Sequence, residues 1–281
     1  MKLTYFGTAA AEGWPALYCS CPSCVSAREK GGRSIRTRSQ ALINDDLLLD
    51  FPADTYLHVL HYGLNLDPVR NILITHSHED HLYIEDLSCR MNWYVADQYR
   101  SPWTLGVYGS SSVREAYDRT IQTRGCTPLP TVAAMHELTE FQPVQVGNYR
   151  VHPMLADHAK DAVCFIYAVE DFDGKALLYA HDTGYLREEC WAYMKQQGLR
   201  FQMVSLDCTC GKQEEERNHM GLSAAARVKE RLLSEGLAGP DTLFYVNHFS
   251  HNCLFLNHDE ITAAASQHGM QVSYDGCAVE F

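Results

Sequence analysis

Short apolar runs broken by polar turns recur along the whole chain, and they read as buried strands. Lys2 to Phe6 forms the first, ending at Gly7. Ser39–Asn44 and Leu47–Phe51 read as a hairpin turning at Asn44-Asp45-Asp46. Asn71–Thr75 is short, apolar and β-branched, and reads as a buried strand. Further strands are expected over 103–109, 141–146, 149–155, 162–169, 175–180, 202–207, 243–246 and 272–276, with Asp171-Phe172-Asp173-Gly174 as a second hairpin turn. Helical spacing covers 55–61 (closed by Gly63), 110–120, 186–200, 224–233 and 259–268, and a helix can begin within 82–89. Residues 121–150 read as loop-rich, with Gly125, Pro128 and Pro130 as breakers.

The chemistry sits where these strands stop. Directly after Asn71–Thr75 comes His76-Ser77-His78-Glu79-Asp80-His81, four metal-capable side chains in six residues. One catalytic metal rarely takes so many ligands from so short a segment. The spacing suggests two neighbouring ions, with His76 and His78 on one and Asp80 and His81 on the other. Later strands end on His158, Asp182 and His248, and the Asp182 carboxylate can bridge two cations. His181 alternates to the opposite face and is the weaker candidate. Asp50 closes the strand before the motif, where it either caps the strand or orients a ligand histidine. His219 lies on a loop just ahead of a helix, a placement that suits a proton donor to a leaving oxygen. His58 and His61 read as packing or surface residues.

Composition adds a second metal question. The 281 residues include eleven cysteines, and Cys19, Cys21 and Cys24 form a C-x-C-x-x-C pattern. Three sulfurs so close suit a closed tetrahedral zinc, with His251 able to supply the fourth ligand. Cys208 and Cys210 read as structural. Hydrophobic residues make up 46% of the chain, enough for a sizeable core, and no run approaches a membrane span. With no secretory signal at the start, a cytoplasmic protein is expected. The formal charge of −12 disfavours nucleic acid as a partner. A local basic pocket remains compatible with that charge, and Arg36 or Arg38, in the most basic segment, could face an anionic substrate.

The string His76-x-His78-x-Asp80-His81, followed by His158, Asp182 and His248 in that order, resembles the ligand set of the metallo-β-lactamase superfamily over nearly the whole chain. The C-x-C-x-x-C run, Asn218-His219-Met220 and the terminal Tyr274-Asp275-Gly276 resemble, within it, the cyclic ribose phosphate phosphodiesterases of the carbon–phosphorus lyase pathway. That resemblance implies an α/β fold, the αββα sandwich, and one domain over 1–281 with a zinc-binding loop near 19–24. It implies two active-site divalent ions (Mn2+ or Zn2+), one structural Zn2+ on Cys19, Cys21, Cys24 and His251, and His219 as general acid. The reaction implied is hydrolysis of a small phosphodiester by metal-activated water, with Asp80 in the catalytic set. The expected partners are that substrate and at most a second copy of the chain, a homodimer. The cysteine pattern also resembles the pyrroloquinoline quinone biosynthesis protein B branch. The His219 and His248 motifs also resemble tRNA 3′-processing nucleases, although no long basic insertion is evident. A non-hydrolytic accessory protein and a lactone or thioester hydrolase of the same superfamily are the alternatives.

Overall fold

In the computed structural model, which describes residues 1–281, the strands form two seven-stranded sheets. The first holds β1 (Lys2–Gly7), β2 (Gln40–Ile43), β3 (Leu47–Leu49), β4 (Asn71–Leu73), β5 (Leu105–Gly109), β6 (Ala133–Glu137) and, on the far side of β1, β14 (Cys277–Glu280). The second runs β7 (Val144–Val146), β8 (Tyr149–Leu155), β9 (Phe165–Asp171), β10 (Ala176–Ala180), β11 (Phe201–Asp207), β12 (Ala238–Asn247) and β13 (Gln271–Val272). The helices are α1 (Pro22–Lys30), α2 (Thr55–Tyr62), α3 (Ser111–Arg124), α4 (Glu188–Gln197), α5 (Leu222–Ser234) and α6 (His258–Gln267).

Connection length decides the pairing direction. The hairpins β2–β3, β7–β8, β8–β9 and β9–β10 are antiparallel, whereas pairs joined through a helix, such as β3–β4, β5–β6, β10–β11 and β11–β12, are parallel. Strand alternation then sorts side chains into three cores. Leu3, Tyr5, Leu47 and Leu49 face Phe165, Tyr167, Leu177 and Tyr179 between the sheets. Phe6, Leu42, Leu48 and Val107 point outward into a cluster that also holds Val113 and Tyr117 of α3. Ile166, Leu178 and Val204 point outward to Trp191, Val228 and Ile261 of α4, α5 and α6. The result is the αββα sandwich. No helix is long and apolar enough to cross a membrane.

Several elements differ from the sequence expectation. The helix expected after the histidine motif is of the 3₁₀ type, Ile84–Arg90. The stretch read as loop carries β6, whose apolar pattern (Ala133, Met135) is too short to stand out beside the prolines. The expected final strand over 272–276 is divided: β13 stops at Val272, the chain turns at Tyr274-Asp275-Gly276, and β14 pairs with β1. The basic stretch 25–38 begins inside α1, with Cys21 as its N-cap. Arg36 does not face solvent or a substrate. It is buried, donates to Thr8 and to the Ser273 carbonyl, and lies over the Phe249 ring. Arg38 pairs with Asp54 at 2.9 Å.

Candidate active site

β8, β10, β11 and β12 all run in one direction, so their C-terminal ends share one edge of the second sheet. That edge presents His158 after β8, Asp182 after β10, Asp207 ending β11 and His248 after β12. The first sheet contributes Asp50 after β3 and the 76–81 turn after β4. Asp50, Asp182, Asn218 and His248 have left-handed backbones, with φ of 63°, 53°, 66° and 62°. Such conformations in non-glycine residues are held by surrounding structure and cluster where geometry matters.

Two separate groups of donors result, beside a third (Asp182, Asp207, His219 and His248) that overlaps the second. His76, His78 and His158 form one, with His76 Nε2 2.8 Å and His158 Nε2 3.3 Å from His78 Nδ1. Asp80, His81, Asp182 and His248 form the other. Asp182 lies between them. Its Oδ2 is 2.9 Å from His81 Nε2 and 3.5 Å from both His76 Nε2 and His248 Nε2, and its Oδ1 is 3.6 Å from His158 Nε2.

The outer nitrogens are spoken for. His81 Nδ1 contacts Asp50 Oδ2 at 2.7 Å, and Asp50 is itself fixed by the backbone N–H of Thr75. His248 Nδ1 meets Thr209 Oγ1 at 2.8 Å, and His158 Nδ1 meets the Asn218 carbonyl at 3.2 Å. Each ring therefore turns Nε2 inward. The inward atoms His81 Nε2, His248 Nε2 and Asp182 Oδ1 are buried and make no well-directed hydrogen bond, close as Asp182 lies to His81 Nε2 and His219 Nδ1. Buried polar atoms normally have one, and converging imidazole lone pairs repel unless a cation sits among them. The donor set therefore fits divalent metal. Burial and the neighbouring His81 hold His76 well below its ordinary pKa, as burial does His158, which keeps both neutral as ligands must be. Burial opposes ionisation of Asp182, but His248, His81 and His76 outweigh it and keep the carboxylate charged.

His219 stands at the rim, 21% exposed, its ring parallel to His248 and edge-on to His158. Its Nδ1 is 3.1 Å from Asp182 Oδ1 and 3.5 Å from Asp207 Oδ2. Burial works against its charge, yet the Asp207 hydrogen bond and the charges of Asp207, Asp182 and Asp80 raise its pKa to about 9. The loop carrying it is clamped: Arg217 grips Asp157 with two bonds of 2.7 and 3.1 Å, and Tyr185 N–H donates to Glu216. Gly184 permits this, since a Cβ there would lie 2.5 Å from the Glu216 carbonyl. A cavity of about 930 Å3 opens beside His158, with Lys160, Arg187 and Arg217 among its walls.

Asp207 and Thr209 were not singled out from sequence. Asp207 accepts from the N–H groups of Asp182, Thr209 and Met220, so it holds together the loops of Asp182, His219 and His248. Its signal was present, a carboxylate ending a buried strand, as at Asp182. Thr209 carried none. His181 lies outside both donor groups, and His58 is a buried packing residue bonded to Gln40 and Thr37.

Cys19, Cys21, Cys24 and His251 form a separate group with donors within 4.8 Å of one another. His251 Nδ1 is 3.6 Å from Cys19 Sγ and 3.4 Å from Cys21 Sγ. Burial would raise the Cys21 thiol, but bonds from His251 and the Cys24 N–H bring it down to about 6. Cys208 is buried and Cys210 half-buried, both as free thiols outside either donor cluster.

A model of the β-lactamase superfamily domain matches residues 50–237, two thirds of the chain and the stretch that carries most of these donors. The protein belongs to the metallo-β-lactamase superfamily. No curated protein matches the sequence closely enough to count as a relative. Among solved structures, this superfamily member is similar to a diphosphatase from the PhnP family (20% identity, TM-score 0.74, covering 100% of this chain and 96% of that one). It is similar to Zn2+-bound PqqB from Methylobacterium extorquens (16%, 0.74, all of both chains) and to the short form of human tRNase Z (15%, 0.68, 100% and 99%). At these identities the likeness is one of fold. Superfamily membership and the donor cluster together support a metal-dependent hydrolase.

Proposed function

We propose that the protein is a dinuclear metal-dependent phosphodiesterase acting on a small phosphate diester, cyclic or open. The observation that carries this reading is the pair of donor groups with Asp182 between them, 3.5 Å from His76 and 3.6 Å from His158, and with three inward atoms buried and unpartnered beside a cationic cavity. His76, His78 and His158 would hold one ion, Asp80, His81 and His248 the other, and Asp182 both. Two divalent cations, when bound, supply charge neutralisation at a phosphoryl group and acidify water. Arg217 is neutralised by Asp157 in the wall of the adjoining cavity, which leaves Lys160 and Arg187 to favour an anionic substrate. His219 uses Nδ1 towards Asp207 and Asp182, which leaves Nε2 to donate a proton to the leaving oxygen. The diphosphatase and tRNase Z among the similar structures support phosphoryl chemistry, and the formal charge of −12 favours the small substrate over a nucleic acid. Mn2+ or Zn2+ suits the imidazole–carboxylate set, and zinc suits the cysteine group.

Metal analysis followed by a screen of phosphodiesters, lactones and thioesters tests the reading, and failure on every diester with both ions bound would sink it. His219→Ala is expected to slow an alkyl diester by about 10²-fold or more. A nitrophenyl diester, whose leaving group needs little protonation, should be slowed far less. Equal losses on both substrates would instead mean that His219 serves as a ligand, which its place in a group with Asp182, Asp207 and His248 allows.

A further inference from the structure

We propose that His181 is a positioning residue for the metal centre: through Ser205 and Asn247 it locks the strand ends that present Asp182 and His248. The proposal rests on the reading of that cluster as a metal site and adds a residue outside both donor groups.

His181 directly precedes Asp182, and Asn247 directly precedes His248. Both Asp182 and His248 depart from the strand into left-handed backbone, with φ of 53° and 62°. Two such turns on strands separated by β11 present their side chains together only if the residues before them are held in fixed relation. Strand alternation sends the His181 side chain away from the Asp182 side. There His181 Nε2 lies 2.7 Å from Ser205 Oγ of β11, and its Nδ1 lies 3.1 Å from Asn247 Nδ2 at the end of β12. The chain of bonds continues at both ends. Tyr5 of the first sheet donates to Ser205 at 2.7 Å, and Ser273 donates to Asn247 Oδ1 at 2.5 Å. With the shorter Ser273 contact taken as the donor to Asn247 Oδ1, Asn247 Nδ2–H donates to His181 and His181 Nε2–H donates to Ser205.

All five residues are buried. A polar chain at this depth is costly unless every member is satisfied, and when satisfied it specifies one arrangement. The bland reading, a histidine that only packs, has support in the Tyr179 ring 3.9 Å away. Packing alone would not order Ser205, Asn247 and Ser273 into one chain that passes through the residues preceding both ligand turns.

The two readings separate in His181→Phe, which keeps ring volume and removes both bonds. His152→Phe is the control: His152 is buried in the same sheet and also loses two bonds, to Tyr193 and Glu170, but touches no ligand turn. Co2+ titration of the metal-free protein, reading the visible bands of the imidazole–carboxylate site apart from the thiolate charge-transfer band, should show about 10- to 100-fold weaker binding and altered bands in His181→Phe. His152→Phe should bind as wild type despite a comparable fall in denaturant midpoint. Wild-type affinity and spectrum in His181→Phe would overturn the proposal, as would equal weakening in the control. If His181→Phe does not fold, Ser205→Ala carries the test: weaker Co2+ binding supports the proposal and unchanged binding overturns it. A wild-type protein that takes up no pair of ions at this site would instead overturn the metal reading beneath it.

Discussion

The imidazole–carboxylate cluster draws its donors from strand ends of both sheets, spread over residues 76–248, whereas the cysteine cluster takes three of four donors from residues 19–24. In the first, outer atoms are backed by Asp50, Thr209 and the Asn218 carbonyl, and one side meets a large cavity. In the second, the sulfurs accept from local backbone N–H groups, Ala16 to Cys24 and Cys21 to Cys19. The two share one turn, since His248 and His251 are three residues apart. The contrast follows from what each donor set can do. A tetrahedral ion with four protein ligands has no position left for a substrate, while a carboxylate shared between two ions beside a cavity leaves room for one. On the proposed reading, rigid strand ends serve catalysis, and a loop with a helix N-terminus serves stability.

The sharpest break of this contrast is at Asp182, the carboxylate proposed to be shared. Asp182→Asn should lower diester turnover by more than about 10²-fold, with loss of bound metal and a retained circular dichroism spectrum. A variant that keeps both ions and turns over would show that Asp182 is not shared. Asp50→Ala removes the partner of His81 Nδ1 and should weaken metal binding by about 10- to 100-fold, measured by competition with a chelator. Cys21→Ser should do the reverse: stability to denaturant falls by on the order of 4 kcal/mol as the ion is lost, while turnover on the remaining folded protein changes little. A large drop in turnover with unchanged stability would erase the distinction between the clusters.

The smallest effect lies in the polar network flanking both. Asp275 accepts from Thr8 Oγ1, Thr37 N–H and Thr37 Oγ1, and burial raises its pKa to about 6 from an ordinary 3.8. The folded state therefore binds the proton more tightly than the unfolded state, and the stability so gained fades as pH rises from about 4 through 6. Wild type relative to Asp275→Asn should gain about 1 kcal/mol on going from pH 7 to 5 in denaturant titrations. A constant difference across that range would mean that Asp275 is not buried as a proton-binding carboxyl.

Local order was written plainly in the chain. The apolar runs at 149–155 and 202–207 locate β8 and β11 because periodicity is a local property, and the six-residue histidine motif and the cysteine triad bring donors together by spacing alone. The strand ends at His158, Asp182 and His248 were legible for the same reason. What only the tertiary structure decided is which ends meet. Asp207 and Asp182 look alike in sequence, yet one points inward as a donor and the other takes three backbone N–H groups. Arg36 reads as a surface cation and is buried because Thr8, Ser273 and Phe249 converge on it from distant segments. β6 and β14 add to edges that exist only once the sheet is built. The left-handed turns at Asp182 and His248 carry no glycine to announce them. They depend on contacts across strands, and no local pattern encodes such contacts.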